Sequence, residues 1–262
     1  MLKLIKIIVP VLLLATSFFA GCKKEPFFKD TGVHDAKFNG TVLQYLNSKP
    51  VHFDSLSRII KIAGMEEVFD KENITFFAPT SATVHQSVHA LNYYLARSGR
   101  DTVTRLEQLK PAFWRKMLAM YVFKGNYGLK DYPQIDTAAM QAYPGQGYNS
   151  ISVDNEPGRT MNIGVVYNDA GGVKYAGYRQ LMISYIGDYS NPTKSLILNR
   201  VASSDIAPTN GRVHVLQNLY IGTVYLIDIN GTLTPIKITL PQYFGFDVSN
   251  FIITALSMGI DP

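Results

Sequence analysis

NITFFAPTSATV, residues 73–84, is the stretch whose reading decides the fold. Residues 73–80 read as a short strand among helices, and Pro79 ends it, because proline has no N–H to offer a ladder. Ser81 opens a helix immediately afterwards, with Val84, Val88, Leu91 and Leu95 recurring at helical spacing on one face. A strand running straight into a helix, with no loop between, is the unit from which the rest is read outward.

Upstream the pattern is helical. TVLQYLNS places Val42, Tyr45 and Leu46 on one face, and FDSLSRIIKIAG places Leu56, Ile59, Ile60 and Ala63 on another. Asp54 is the expected N-cap of that second helix and Gly64 its stop. Downstream, Pro111 is suited to a first helical position, and the helix PAFWRKMLAMYVFKG is expected to carry Trp114, Leu118 and Tyr121 on one face and to end at Gly125. After Gly128 short apolar or alternating runs follow, separated by turn residues: NSISVD, TMNIGVVY, GVKYAGY, RQLMISYIGDY, SLILNRVASS, RVHVLQ, GTVYLIDI and TPIKITL. These predict a mostly antiparallel sheet. Helices first and strands afterwards define an α+β chain, and no solenoid period is present.

A second segment, VASSDIAPTNGRVHVLQNLY (residues 201–220), contains an Asn210-Gly211 pair suited to a tight turn that launches RVHVLQ. Val213 and Val215 share one strand face; His214 takes the other with Arg212 and Leu216. His214 is expected to be a hydrogen-bonded brace against the loop of Ser203 to Asp205 rather than a catalytic group.

Together the two segments resemble the signatures of the fasciclin (FAS1) family: Phe77, Ala78, Pro79 and Thr80 in the first, Asp205, Asn210, Gly211 and His214 in the second. The resemblance covers residues 38–229, with an enlarged middle region. It implies a FAS1-like α+β fold, N-terminal helices packed on a mostly antiparallel β-sandwich or wedge, with those signature residues in structural roles. It also implies an adhesive function. In the family a Tyr-His pair in the middle helix region is implicated in adhesion, whereas this chain has Tyr121-Val122.

The front of the chain points to export. Lys3 and Lys6 precede an apolar run from Ile7 to Ala20 that is short for a membrane span, and small residues follow it, as in a secretory signal. Phe19-Ala20-Gly21-Cys22 resembles a bacterial lipobox. The expected organisation is a signal peptide at 1–21, a tether at 22–37 beginning with lipidated Cys22, the domain at 38–229, and an extension at 230–262. The extension is expected to add a strand (residues 236–240) and a helix (248–258) that pack on the domain. Several acyl chains on one cysteine suffice for stable anchoring, and a lone cysteine has no internal disulfide partner. The expected place is the outer membrane, facing the cell surface. Cleavage removes Lys3 and Lys6 from 25 basic residues and leaves all 20 acids, so the balance is too even to argue for nucleic acid as a partner.

Chemistry is sparse. His85 and His89 are spaced i, i+4 but lack the glutamate of a zinc-protease motif and any third ligand nearby. There is no Gly-x-Ser-x-Gly elbow, and no glycine-rich loop opens a helix after a strand. No catalytic, metal or cofactor residues are therefore assigned, and no enzyme is expected. The residues that stand out are Tyr167, Tyr175, Tyr178, Arg179, Tyr185 and Tyr189, interleaved with glycines and acids. Tyrosine offers a rigid apolar face with a polar tip, suited to wet interfaces with proteins or sugars. The expected function is non-catalytic binding of a surface protein or an extracellular polymer such as a polysaccharide. The alternative is an accessory role in an outer-membrane glycan or nutrient uptake assembly.

Overall fold

Three short helices lead into the first strand. In the computed structural model, which describes residues 36–218, 222–227, 233–238 and 245–262, α1 (Val42–Asn47) starts at a capping box formed by Thr41 and Gln44. The signal segment, Cys22 and the tether up to Asp35 lie outside the described residues. Helix α2 (Pro50–Ala63) buries Phe53, Leu56, Ile59, Ile60 and Ala63 and stops at Gly64, whose φ of 64° is left-handed. It begins four residues before the expected cap: Pro50 takes the first turn, where its missing N–H costs nothing, and Asp54 lies exposed within the helix. After α3 (Glu66–Lys71), β1 (Ile74–Ala78) is buried at every position. Helix α4 (Ser81–Arg97) follows, capped by the Thr80 side chain.

Helix α5 (Pro111–Ala119) is shorter than its sequence pattern indicates. Tyr121 lies beyond it, and β2 (Val122–Lys124) takes up the residues expected to finish the helix. The reason is tertiary. Those residues pair antiparallel with β1, Phe76 opposite Val122, and cover an edge that would otherwise leave backbone groups unpaired.

The second half supplies β3 (Gln146–Asn149), β4 (Thr160–Tyr167), β5 (Arg179–Ile186), β6 (Leu196–Ile206) and β7 (Gly211–Leu216). Two expected strands differ. Residues 150–154 of NSISVD lie past the end of β3, and GVKYAGY is a loop entered through the left-handed pair Gly171 and Gly172. The seven strands form one sheet in the order β2-β1-β7-β6-β5-β4-β3, antiparallel throughout except for β1 against β7. Just past β3, the Ile151 N–H donates to the Val122 carbonyl of β2 at 2.9 Å, bringing the sheet's two edges together. The architecture is therefore α+β, as expected, with a mostly antiparallel sheet curled nearly into a barrel. β8 (Gly222–Ile227) and β9 (Leu233–Ile238) form a separate antiparallel ladder, and α6 (Val248–Met258) completes the described chain.

Helix α6, capped by the Asp247 side chain, seals the helical layer. Phe251 is fully buried, with its ring centre 4.9 Å from Phe113 and 5.9 Å from Trp114. Trp114 satisfies its indole N–H on the Leu106 carbonyl at 3.0 Å. Truncating a buried phenylalanine removes apolar contact and leaves a cavity. Phe251→Ala is expected to lower the unfolding free energy by about 3 kcal/mol in urea denaturation; an effect under about 1 kcal/mol, the range of surface substitutions, contradicts this packing.

Candidate functional site

β1 and β7 run side by side with Phe77 opposite His214, so the two segments singled out in the sequence are spatial neighbours. His214 is fully buried. Its Nδ1 accepts from the Asp205 N–H at 3.2 Å and its Nε2 lies 2.9 Å from the Tyr127 carbonyl. A backbone N–H only donates and a carbonyl only accepts, so the ring is the neutral tautomer protonated at Nε2. Burial pushes its pKa down to about 4, against smaller upward pulls from the Tyr127 carbonyl and the Asp205 charge. Both ring nitrogens are engaged, which leaves neither for a metal or a substrate.

The residues around it extend the same network. Asp205 stands at φ 64°, and its carboxylate accepts from the Leu129 N–H at 2.8 Å. Asn210 ties three elements: its Oδ1 accepts from the Val42 N–H at 2.7 Å, while Nδ2 donates to the Phe69 and Glu72 carbonyls. Thr80 caps α4 and donates to Asn218 Oδ1 at 2.8 Å. Ala78 is buried in β1, and Pro79 follows the strand's last residue. This is a framework of joints, not a reaction centre.

The six tyrosine-segment residues separate into two groups. Tyr167 pairs with Arg179 at one end of the β4–β5 hairpin, and Tyr185 pairs with Met161 at the other. Six residues of strand place these ends about 20 Å apart. At the turn end the Arg179 guanidinium lies 3.7 Å from the Tyr167 ring centre. Tyr175 holds a left-handed φ of 62°, unusual for a bulky side chain. Three ties hold it there: its N–H donates to Asp169 Oδ1, its carbonyl accepts from Arg179 Nη1, and its hydroxyl donates to Asp136 Oδ2 at 2.8 Å. That last bond pushes the Tyr175 pKa up to about 12. Beside it Tyr178 is 54% and Val173 60% exposed. At the far end Arg159 lies over Tyr185 and Tyr189.

One pairing was invisible in the sequence. Ser55 of α2 and His85 of α4 meet through Oγ and Nε2 at 3.1 Å, beside a cleft of about 270 Å³. Among the described residues no carboxylate hydrogen-bonds the His85 ring, so the third group that orients a catalytic base is missing. Arg58, which lines the same cleft, is spent on Glu107 through two hydrogen bonds. The pair reads as a contact between helices. His85 and His89 are both exposed, and among the described residues no three His, Cys, Asp or Glu side chains gather as a metal site.

Compared with protein-family models and with curated proteins, the chain matches none.

Proposed function

We propose that the protein is a non-catalytic cell-envelope lipoprotein of the fasciclin type, held at the outer membrane by lipid on Cys22. It binds a surface protein or an extracellular polymer through the turn end of the β4–β5 hairpin. The family reading is supported by the parallel pairing of the two resembling segments, Phe77 opposite His214. The binding reading is carried by Tyr175. A bulky residue in the left-handed region costs about 1–3 kcal/mol and persists only where its surroundings over-determine it. Here three polar ties fix it, and the loop so ordered presents Tyr178 and Val173 to solvent. A pre-ordered aromatic tip loses little entropy on meeting a partner.

Purified protein is expected to be retained on extracellular polymer or on cells of its source. Tyr178→Ala combined with Val173→Ser should weaken retention about tenfold, the 1.4 kcal/mol typical of a modest interface anchor. Undiminished retention by this double variant contradicts the assignment of the tip. In cell fractionation Cys22→Ala should leave the membrane fraction, and its persistence there contradicts the anchor.

A further inference from the structure

A second cleft, of about 500 Å³, opens at the other end of β4, away from the tyrosine tip. That volume lies within the range of ligand sites. One wall is the segment leading into β4, ending at Arg159 and Thr160; Lys116 of α5 and Asn250 of α6 face it. Arg159 is a fixed plate. Its guanidinium carbon is 3.9 Å from the Tyr185 ring centre and 5.2 Å from that of Tyr189, and Nη2 donates to the Ile186 carbonyl at 2.7 Å. Its Nε is enclosed without a hydrogen-bond partner, a condition native structures rarely leave unexplained. Tyr189 is 53% exposed, yet its hydroxyl donates to the Thr160 carbonyl at 3.1 Å, which holds the ring at the rim.

The remaining groups are polar and loosely held. The Asn250 amide is held only by long contacts: Nδ2 lies 3.7 Å from the Met120 sulfur, a weak acceptor, and Oδ1 accepts from the Thr254 hydroxyl at 3.4 Å. Lys116 and Glu156 pair at 3.0 Å while both remain accessible. Charge decides the ligand class. Within the lining Lys116 is matched by Glu156, and the Arg159 guanidinium is committed to the Tyr185 ring and the Ile186 carbonyl. An anion entering must displace Glu156 from Lys116 to gain a cationic partner, and an apolar ligand leaves the amide and the ion pair unanswered. A pyranose has an apolar face for Tyr189 and hydroxyls that both donate and accept.

We infer that this cleft binds a neutral sugar unit of a glycan chain, with Tyr189 as the stacking platform and Asn250, Lys116 and Glu156 as hydrogen-bonding partners. The site shares no residue with the hairpin tip, so either can fail without the other.

The test is saturation-transfer NMR and calorimetry on the full chain. The probes are neutral hexasaccharides of glucose (α- and β-linked), mannose and xylose, with oligogalacturonate as the acidic counterpart. At least one neutral probe is expected to bind. Tyr189→Ala should weaken it tenfold or more and Asn250→Ala severalfold, while Tyr178→Ala leaves it unchanged; thermal melts establish that each variant is folded. The inference is overturned if no neutral probe binds, if only oligogalacturonate does, if affinity survives both Tyr189→Ala and Asn250→Ala, or if Tyr178→Ala abolishes it.

Discussion

Replacing His214 by alanine is expected to lower the unfolding free energy by about 4 kcal/mol, combining a lost ring in a packed core with two unanswered backbone groups. The Asp205 N–H and the Tyr127 carbonyl both lose their partner, and the ring's packing against Phe77, at 5.0 Å between centres, goes with it. The same residue predicts a pH dependence. An unfolded histidine titrates near 6.5, whereas burial lowers the folded value to about 4. Between these values the unfolded chain binds a proton that the folded chain does not, so acid favours unfolding. The histidine contribution is fully present above about pH 7 and falls by about 3 kcal/mol as the pH drops to 4. Asp247 acts in the opposite sense, since burial raises its carboxyl pKa. The slope belonging to His214 is therefore read as the difference between the wild type and His214→Gln in urea denaturation across this range. Parallel curves contradict the buried neutral histidine.

Gly211→Ala is expected to be at least as severe, about 4 kcal/mol or more, enough to abolish folding of a marginal domain. A Cβ at Gly211 would stand 1.9 Å from the Ile74 carbonyl oxygen and 2.9 Å from its carbon. These are backbone atoms of the paired strand, so no side chain can turn aside to make room. Relief requires opening the β1–β7 ladder at the pair Ile74 and Gly211, next to the residue whose side chain ties α1, α3 and β7 together. Soluble yield and circular dichroism check this. A Gly211→Ala protein with near-wild-type stability contradicts the close approach.

What the sequence made legible was local and periodic. The strand-to-helix passage at Pro79, the stop at Gly64 and the helix at Val248–Met258 each follow from chemistry carried by adjacent residues. The misreadings arose where distant chain intervenes. Residues 122–124 continue a helical pattern and yet form a strand, because β1 needs a partner. Asp54 has the chemistry of a cap, but Pro50 starts the helix first. The tyrosines form one cluster in sequence and two in space, since an antiparallel hairpin sends residues near its turn and residues at its open end in opposite directions. Ser55 and His85, on separate helices, met only through packing. Of the cleft beside Arg159, which draws on α5, β4 and α6, only Tyr189 stood out in the sequence.

The central claim, that this protein acts by binding through the hairpin tip, is tested most directly by a photo-crosslinker placed at Tyr178 in the cell-anchored protein. The same crosslinker at Tyr93, at least as exposed on α4, serves as the comparison. Crosslinked surface protein or polymer from position 178, and none from position 93, is the predicted result. Adducts of equal yield from both positions, or from neither, contradict it.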